Sequence, residues 1–157
     1  MRNILIVLAI AFVAMGCDGN EILSFEEQMA ADIEAIDKYI EENDIQDTQI
    51  DPSGIRFIVH EEGTGLMPEV NWIVKVKYKG NLLTDPDGTP FDQNSAGREF
   101  ILSQLIVGWQ IMLTQHKEGA VLTLYIPSGL AYGMNRQGGI PANSSLIFDI
   151  TLVSARK

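Results

Sequence analysis

Reactive side chains are scarce in this sequence. Its 157 residues include one cysteine and two histidines, His60 and His116. A single cysteine excludes an intramolecular disulfide. Neither histidine has acidic residues at ligand spacing around it, so no metal site and no cofactor are expected. There is no Gly-x-Ser-x-Gly motif and no cysteine placed as a nucleophile. The sequence therefore lacks the residues that a nucleophilic hydrolase needs.

Basic residues are few, and the chain has no long membrane-spanning run. The 11 Lys and Arg against 21 Asp and Glu give a formal charge of −10. Such a surface repels phosphate, so nucleic acid is not an expected partner. The apolar run over residues 4–14 is shorter than the ~20 residues that a spanning helix needs.

The N-terminus, MRNILIVLAIAFVAMGCDGN, has the order of a secretory signal: Arg2, an apolar run, small residues and then Cys17. Its segment AMGC resembles a bacterial lipobox, with Ala14 where leucine is usual. The resemblance implies a lipoprotein signal peptide over residues 1–16, a lipidated Cys17, and anchoring to a membrane of the bacterial cell envelope, on its periplasmic or outer-membrane side. The alternative is an ordinary signal peptide with an incidental cysteine. The position of Cys17 at the expected cleavage site favours lipidation.

Residues 24–42 are predicted to form an amphipathic helix. The segment SFEE has the pattern of a capping box between Ser24 and Glu27. An apolar stripe at helical spacing follows it: Phe25, Met29, Ile33, Ile36 and Ile40. Such a helix either packs on the following domain or acts as a spacer, or it dimerises or holds a client protein. The pattern favours packing or spacing, and it leaves dimerisation and client binding open.

Residues 43–54 are polar and contain Pro52 and Gly54, so they are predicted as a linker. This divides the mature chain into a tether with a helix, 17–53, and a compact domain, 54–157. In that domain the apolar period changes to two, which predicts about five strands. They are GIRFIVHEEG, WIVKVKYKG, REFIL, AVLTLYIP and SLIFDITLV. In AVLTLYIP, the apolar Leu122, Leu124 and Ile126 alternate with Thr123 and Tyr125. One helix over roughly 105–115 interrupts them, which indicates an α+β domain with an antiparallel sheet.

The side chains left for function are mostly apolar. In LIVGWQ, residues 105–110, Gly108 falls in the first helical turn, where it costs ~1 kcal/mol relative to alanine. We therefore expect something to approach the backbone there. Any one aromatic residue alone would be interpreted as core, but a concave apolar site with a few polar atoms is typical of small-ligand binding. The residues available for one are Tyr78, Phe91, Asp92, Ile106, Trp109, Tyr132 and Phe148.

A series of blocks in fixed order resembles the FKBP-type peptidyl-prolyl cis–trans isomerases. The blocks are VKVKYKG, FDQ, EFILSQLIVGWQ, KEG, IPSGLAYG and GIPANSSLIFDITLV. They cover nearly all of residues 54–157, and a lipobox followed by an acidic helix is similar to lipoprotein members of the family. The resemblance implies a curved antiparallel sheet wrapped around one short helix. It also implies faster rotation about X–Pro bonds, proline-containing polypeptides as substrates and macrolides as possible inhibitors.

The resemblance also implies roles for single residues. Trp109 is expected to form the floor of the prolyl pocket. The backbone N–H of Ile106 is expected to bind a substrate carbonyl. The complete expected sets are Tyr78, Asp92, Ile106 and Tyr132 for catalysis, and Phe91, Leu105, Trp109 and Phe148 for substrate binding. Asp92 either bonds to Tyr78 or caps the loop that follows Phe91.

Five features depart from the family pattern, and two of them are Leu130 in place of a frequent tyrosine and His116 in place of a frequent methionine. Arg98 stands where an apolar wall residue is usual, the loop 81–90 is long, and the following loop 93–97 is short. Substrate preference and macrolide affinity therefore do not follow from the resemblance. Two other functions stay open: a binding module or chaperone that holds proline-containing segments without turnover, and a protein whose functional part is the helix 24–42.

Overall fold

The computed structural model describes residues 23–157, so the predicted signal peptide and Cys17 lie outside the described residues. Its elements are α1 Phe25–Glu42, β1 Gln49–Ile50, β2 Arg56–Glu62, β3 Ile73–Leu82, β4 Asp92–Ile101, α2 Val107–Leu113, β5 Ala120–Ile126 and β6 Leu146–Arg156. Short 3-10 turns, Leu102–Gln104 and Ser128–Leu130, precede α2 and follow β5. Within residues 23–157, no helix is both long and apolar enough to cross a membrane.

The strands form one antiparallel sheet in the order β1-β2-β5-β6-β3-β4. This confirms the predicted α+β fold. The sixth strand, beyond the predicted five, is the two-residue β1. The period-two prediction holds in β3, where Val74, Val76 and Tyr78 are buried, while Lys77 and Lys79 are exposed.

Helix α2 covers one face of the sheet and completes the main core. Its Trp109, Met112 and Leu113 pack with strand residues that include Leu124 and Ile150. Gly108 belongs to this packing, because a Cβ atom there would lie 2.7 Å from Cγ2 of Ile126. The predicted approach to the Gly108 backbone is therefore real, but the approaching group is a core side chain.

Helix α1 covers the opposite face of the sheet. The predicted capping box is present at Ser24 and Glu27. Ile36 packs with Leu83 and Tyr125 in a second apolar cluster. Tyr125, which alternation assigned to the polar face of β5, is 4% exposed. That assignment was wrong because α1 lies over this part of the sheet.

An ion pair fastens α1 to β2. The Nε and Nη2 atoms of Arg56 donate to the two carboxylate oxygens of Asp37 at 2.7 and 2.8 Å. Two parallel bonds of this kind fix orientation as well as distance. Among the roles considered for α1, the structure therefore shows the first one, packing on the following domain.

The predicted linker is partly ordered against the domain. Gln49 and Ile50 pair with Phe57 and Arg56. Asp51 is buried and accepts hydrogen bonds from Ser53 and from the Gln115 side chain. Burial opposes ionisation of Asp51, but these hydrogen bonds outweigh it and lower its pKa. Polar composition predicted a linker here, and one of its carboxylates, Asp51, is held in part by Gln115, 64 residues further along the chain.

The predicted loop 93–97 is also wrong, because these residues belong to β4. Tyr78 pairs with Asn94 and Val76 pairs with Arg98, so β4 has extra residues between these pairs and bulges. The Asn94 side chain accepts the Gly97 N–H at 2.8 Å, and Gly97 has φ +90°. A bulge with glycine in the left-handed region continues the strand while bending it. The prediction failed because the residues of this bulge, NSAG, have the composition of a turn.

The burial of Tyr125 predicts loss of stability at alkaline pH. Burial, followed by the nearby Tyr39 and Asp149, raises the pKa of Tyr125 to about 12, against ~10 in an unfolded chain. The neutral phenol is thus favoured in the folded state, and its contribution is complete below about pH 10 and lost by about pH 12. A rise of about two pH units corresponds to ~2.7 kcal/mol without screening, at ~1.4 kcal/mol per unit. We expect a measured loss of ~1 kcal/mol, because screening reduces the effect.

Denaturant unfolding at a series of pH values measures this loss. Tyr125→Phe has no phenol to ionise and should show a shallower decline between about pH 10 and pH 12 than the wild type. Parallel declines in the two proteins would contradict the assignment to Tyr125.

Candidate functional site

One hollow lies where the start of α2 meets strands β3, β4 and β6 and the segment after β5. Its volume is about 130 Å³, similar to the engineered apolar cavity of ~150 Å³ that holds benzene. It therefore accepts one small ring. Its lining residues are Tyr78, Phe91, Asp92, Phe100, Leu105, Ile106, Trp109, Tyr132 and Phe148. All eight site residues named from the sequence are among these nine.

Aromatic rings in edge-to-face contact form the floor of the hollow. The ring of Trp109 lies 5.1 Å from that of Phe148 and 5.3 Å from that of Tyr78, with interplanar angles of 82° and 78°. Phe100 adds a third perpendicular contact at 6.3 Å. Edge-to-face pairs are favoured beyond the area that they bury. The floor is thus held in shape by its own contacts.

Sequence reasoning missed Gly80, which makes room for two rings of the hollow. Gly80 lies in β3 opposite Phe148 of β6. A Cβ atom at this position would lie 2.6 Å from Cε1 of Phe148 and 2.7 Å from Cζ of Phe91. The available signal was a glycine inside a strand, which often marks a close approach. Phe100 was also missed as a lining residue, although it belongs to the quoted block EFIL.

The carboxylate of Asp92 is bonded to Tyr78. The Tyr78 hydroxyl donates to Oδ2 of Asp92 at 2.8 Å, and among the described residues Asp92 caps no loop. Burial, then this hydrogen bond and the charge of Asp92, raise the pKa of Tyr78. The Tyr78 ring is consequently fixed against the floor, and its hydroxyl keeps its proton.

Other hydrogen-bond donors of the lining residues lack a partner among residues 23–157, and one of them is the buried Nε1–H of Trp109. Ile106 is the N-cap residue of α2, and its carbonyl accepts the N–H groups of Trp109 and Gln110. Within residues 23–157, neither the Ile106 N–H nor the Tyr132 hydroxyl donates to any group. Burial, then the charge of Asp92, raise the pKa of Tyr132. An apolar hollow with unused neutral donors can hold a ring and orient carbonyl groups beside it.

Arg98 does not line the hollow. Its guanidinium carbon lies 5.1 Å from the ring centroid of Phe100, a cation–π distance. Phe100, two residues further along β4, supplies the aromatic wall. The departure at Arg98 therefore places a positive charge beside the wall and leaves the apolar lining intact.

Neither histidine lies in the hollow. His60 bonds to the Thr123 hydroxyl, and His116 is buried, with Nδ1 2.8 Å from the Met112 carbonyl. In the part of the chain that the structure describes, no cluster of three or more His, Cys, Asp or Glu could hold a metal ion. The lining therefore offers apolar binding and hydrogen bonding, with no side chain whose ordinary pKa lies near neutrality.

The family model for FKBP-type peptidyl-prolyl cis-trans isomerases matches residues 66–153, more than half of the chain. The chain belongs to this family. The match contains all eight predicted site residues together with Gly80 and Phe100. Helix α1, β1 and β2 precede it.

Named relatives are similar to the same part of this FKBP-family chain. FkpA, an FKBP-type peptidyl-prolyl cis-trans isomerase of Aeromonas hydrophila, is 40% identical over 108 residues, covering 67% of this chain and 39% of the relative. The outer membrane protein MIP of Legionella longbeachae is 39% identical over 110 residues, covering 68% and 46%. The chain thus spans less than half the length of these relatives.

A solved structure agrees over a greater share of the chain. The crystal structure of a peptidyl-prolyl cis-trans isomerase from Pseudomonas syringae superposes with a TM-score of 0.70 at 30% identity. The superposition covers 88% of this chain and 100% of that one. The similarity of fold is therefore wider than the 66–153 match.

Proposed function

We propose that this FKBP-family protein is a peptidyl-prolyl cis–trans isomerase that accelerates rotation about X–Pro bonds. The observation that carries the proposal is the hollow floored by Trp109, with free donors at Ile106 and Tyr132. Rotation about a peptide bond has a barrier of ~18–20 kcal/mol, and X–Pro isomerisation takes tens to hundreds of seconds unaided. No covalent bond breaks, so a site without a nucleophile or a near-neutral acid suffices.

The physical basis is the loss of amide resonance on rotation. The planar amide is polar and well solvated by water, whereas the twisted amide has less charge separation. An apolar hollow therefore disfavours the planar form more than the twisted form. A million-fold acceleration needs ~8 kcal/mol at ~1.4 kcal/mol per decade. A neutral hydrogen bond contributes only ~0.5–1.5 kcal/mol, so removal of water, the rigid floor and aimed donors must act together.

The residues divide into ring-holding and carbonyl-holding groups. Trp109, Phe148, Tyr78 and the Ile106 side chain hold the prolyl ring. The Ile106 N–H and the Tyr132 hydroxyl bind the carbonyls that flank the rotating bond. Asp92 fixes the Tyr78 ring through their 2.8 Å hydrogen bond, and Leu105 and Phe91 complete the apolar wall.

A protease-coupled assay with several X–Pro peptides tests the proposal on the purified protein, with refolding of a proline-limited client as a second substrate. Acceleration of both reactions supports the isomerase. The second candidate, a binding module or chaperone, is favoured if peptides bind without faster isomerisation. Competition between a macrolide and the peptides would indicate that the macrolide binds in the same hollow.

Tyr132→Phe is expected to lower kcat/KM by about 2- to 10-fold, the equivalent of one neutral hydrogen bond. The change removes one oxygen atom and leaves the ring. The coupled assay measures the effect against wild type at equal concentrations of folded protein. An unchanged kcat/KM would remove the Tyr132 hydroxyl from the mechanism.

The pH profile of kcat/KM is expected to be flat between about pH 6 and pH 9. The pKa values of Tyr78 and Tyr132 are raised above 10, so both hydroxyls stay protonated throughout this range. Isomerisation of a peptide without titratable groups, followed by NMR exchange, avoids the pH dependence of a coupling protease. A bell-shaped profile would indicate general acid–base catalysis and contradict the proposed mechanism.

We also propose that the protein acts in the bacterial cell envelope, with residues 1–16 removed and Cys17 lipidated. The cysteine at the expected cleavage site supports this, as does the similarity to a relative named as an outer membrane protein. Residues 17–53 would then form a tether and helix, and 54–157 the isomerase domain. Mass spectrometry of the mature N-terminus tests this proposal, and Cys17→Ser should release the protein from the membrane fraction.

A further inference from the structure

Helix α1 precedes the FKBP match, yet it reaches the segment that bears Tyr132. Asp32 of α1 is 5% exposed. Its Oδ2 accepts the Ser128 backbone N–H at 2.7 Å, and its Oδ1 accepts the side-chain amide of Gln28 at 2.7 Å. A carboxylate is costly to bury unless it is hydrogen-bonded. The two bonds account for its presence between the helix and the turn.

Ser128 fixes the backbone on both sides of Tyr132. It is 0% exposed. Its carbonyl accepts the N–H of Ala131 at 2.9 Å and that of Gly133 at 2.8 Å. Ser128 therefore donates its N–H to Asp32, while its carbonyl accepts from the two residues that flank Tyr132.

Gly129 lets α1 lie directly on this turn. A Cβ atom at Gly129 would lie 2.8 Å from Sδ of Met29 and 2.8 Å from the ring of Phe25. The bond at Asp32 and the contact at Gly129 lie in the same 3-10 turn, Ser128–Leu130, and both come from α1. The helix thus determines where this turn sits.

We propose that Asp32 is a positioning residue of the isomerase site, holding the Tyr132 hydroxyl in place through Ser128. The inference rests on the proposed function. A displaced donor loses more of its interaction with the twisted amide than with the bound planar substrate, because only the former requires the aimed geometry. Loss of the Asp32 bond therefore lowers kcat more than it changes KM.

Two substitutions at Asp32 separate the bond from the charge. Asp32→Leu keeps a similar shape and removes the acceptor, and we expect kcat to fall about 3- to 10-fold. Asp32→Asn loses the charge, but its amide oxygen can still accept the Ser128 N–H, so kcat should stay within about 2-fold of wild type. Ile36→Ala is the matched control, because Ile36 is buried on the same helix and packs on Leu83 and Tyr125.

A double-mutant cycle tests whether Asp32 acts through Tyr132. In the Tyr132→Phe background, Asp32→Leu should reduce kcat by less than about 2-fold, since the hydroxyl that it positions is already absent. Full additivity would overturn the inference, as would equal losses in Asp32→Leu and Ile36→Ala. If Asp32→Leu does not fold, Gly129→Ala moves the turn away from α1 and takes its place in both comparisons.

Amide hydrogen exchange provides a readout that does not depend on activity. Asp32→Leu should speed exchange at Ala131 and Gly133, while Ile36→Ala should leave these two amides close to wild type. If the wild type is active and Asp32→Leu has the same activity and the same exchange rates as wild type, this inference is overturned and the proposed function stands. A wild type without isomerase activity overturns the proposed function, and this inference with it.

Discussion

Trp109→Ala is expected to lower kcat/KM for X–Pro isomerisation by at least ~100-fold, or ~2.7 kcal/mol. The substitution removes the floor that contacts Phe148 and Tyr78 and admits water to the hollow. Both effects weaken the preference for the twisted amide. Truncating a buried tryptophan also costs ~3–5 kcal/mol of stability, so the coupled assay should be run well below the unfolding temperature.

Trp72 provides the matched control for this prediction. It is the other tryptophan, packs partly buried against the main core, and does not line the hollow. Trp72→Ala should lower stability and leave kcat/KM within about 2-fold of wild type. If Trp109→Ala does not fold, Trp109→Phe keeps an aromatic floor and is expected to lose about 10-fold. Equal activity in the Trp109 and Trp72 variants would refute the floor assignment.

Gly80→Ala is expected to cause the second largest loss, through one added methyl group. That methyl would lie 2.6 Å from the Phe148 ring and 2.7 Å from the Phe91 ring, so both rings must move. Overpacking of this kind costs ~1–3 kcal/mol, and a misplacement near 1 Å can lower rates by about 100-fold. We expect kcat/KM to fall about 10- to 100-fold, measured with the coupled assay.

Gly139→Ala is the control for the Gly80 substitution. A Cβ atom at Gly139 meets nothing within 4 Å, so stability and activity should remain near wild type. Because Gly80 has no positive φ, backbone strain does not complicate the comparison. Activity retained in Gly80→Ala would show that the positions of Phe91 and Phe148 are not critical.

Much of this site could be predicted because its residues lie at fixed places in a familiar order of blocks. Tyr78 follows from the alternation of β3, and Trp109 from the short helix that interrupts the strands. Asp92 could not be assigned from sequence, since a carboxylate after Phe91 can cap a loop or bond to Tyr78. In the structure the Tyr78 hydroxyl donates to Asp92 at 2.8 Å, so Asp92 bonds to Tyr78. The catalytic roles themselves remain predictions that the variants above test.

Residues whose surroundings come from distant parts of the chain were predicted poorly. Tyr125 was grouped with Thr123 on the polar face of β5, because alternation describes one strand and does not include α1. Gly108 was linked to an approaching ligand, whereas Ile126 fills that space. Asp51 lies in the predicted linker, and its bond to the Gln115 side chain could not be identified from the sequence. In each case the local pattern was interpreted correctly and the partner could not be identified from it.

The sequence by itself determined the α+β class, the capped amphipathic helix and eight of the nine residues that line the hollow. These follow from local periodicity, short-range capping and the ordered blocks. Only the tertiary structure decided that α1 lies on the sheet and that Asp32 bonds to Ser128, 96 residues away. Periodicity shows which face of an element is apolar, but the element that covers that face is selected by packing and hydrogen bonding across the whole fold.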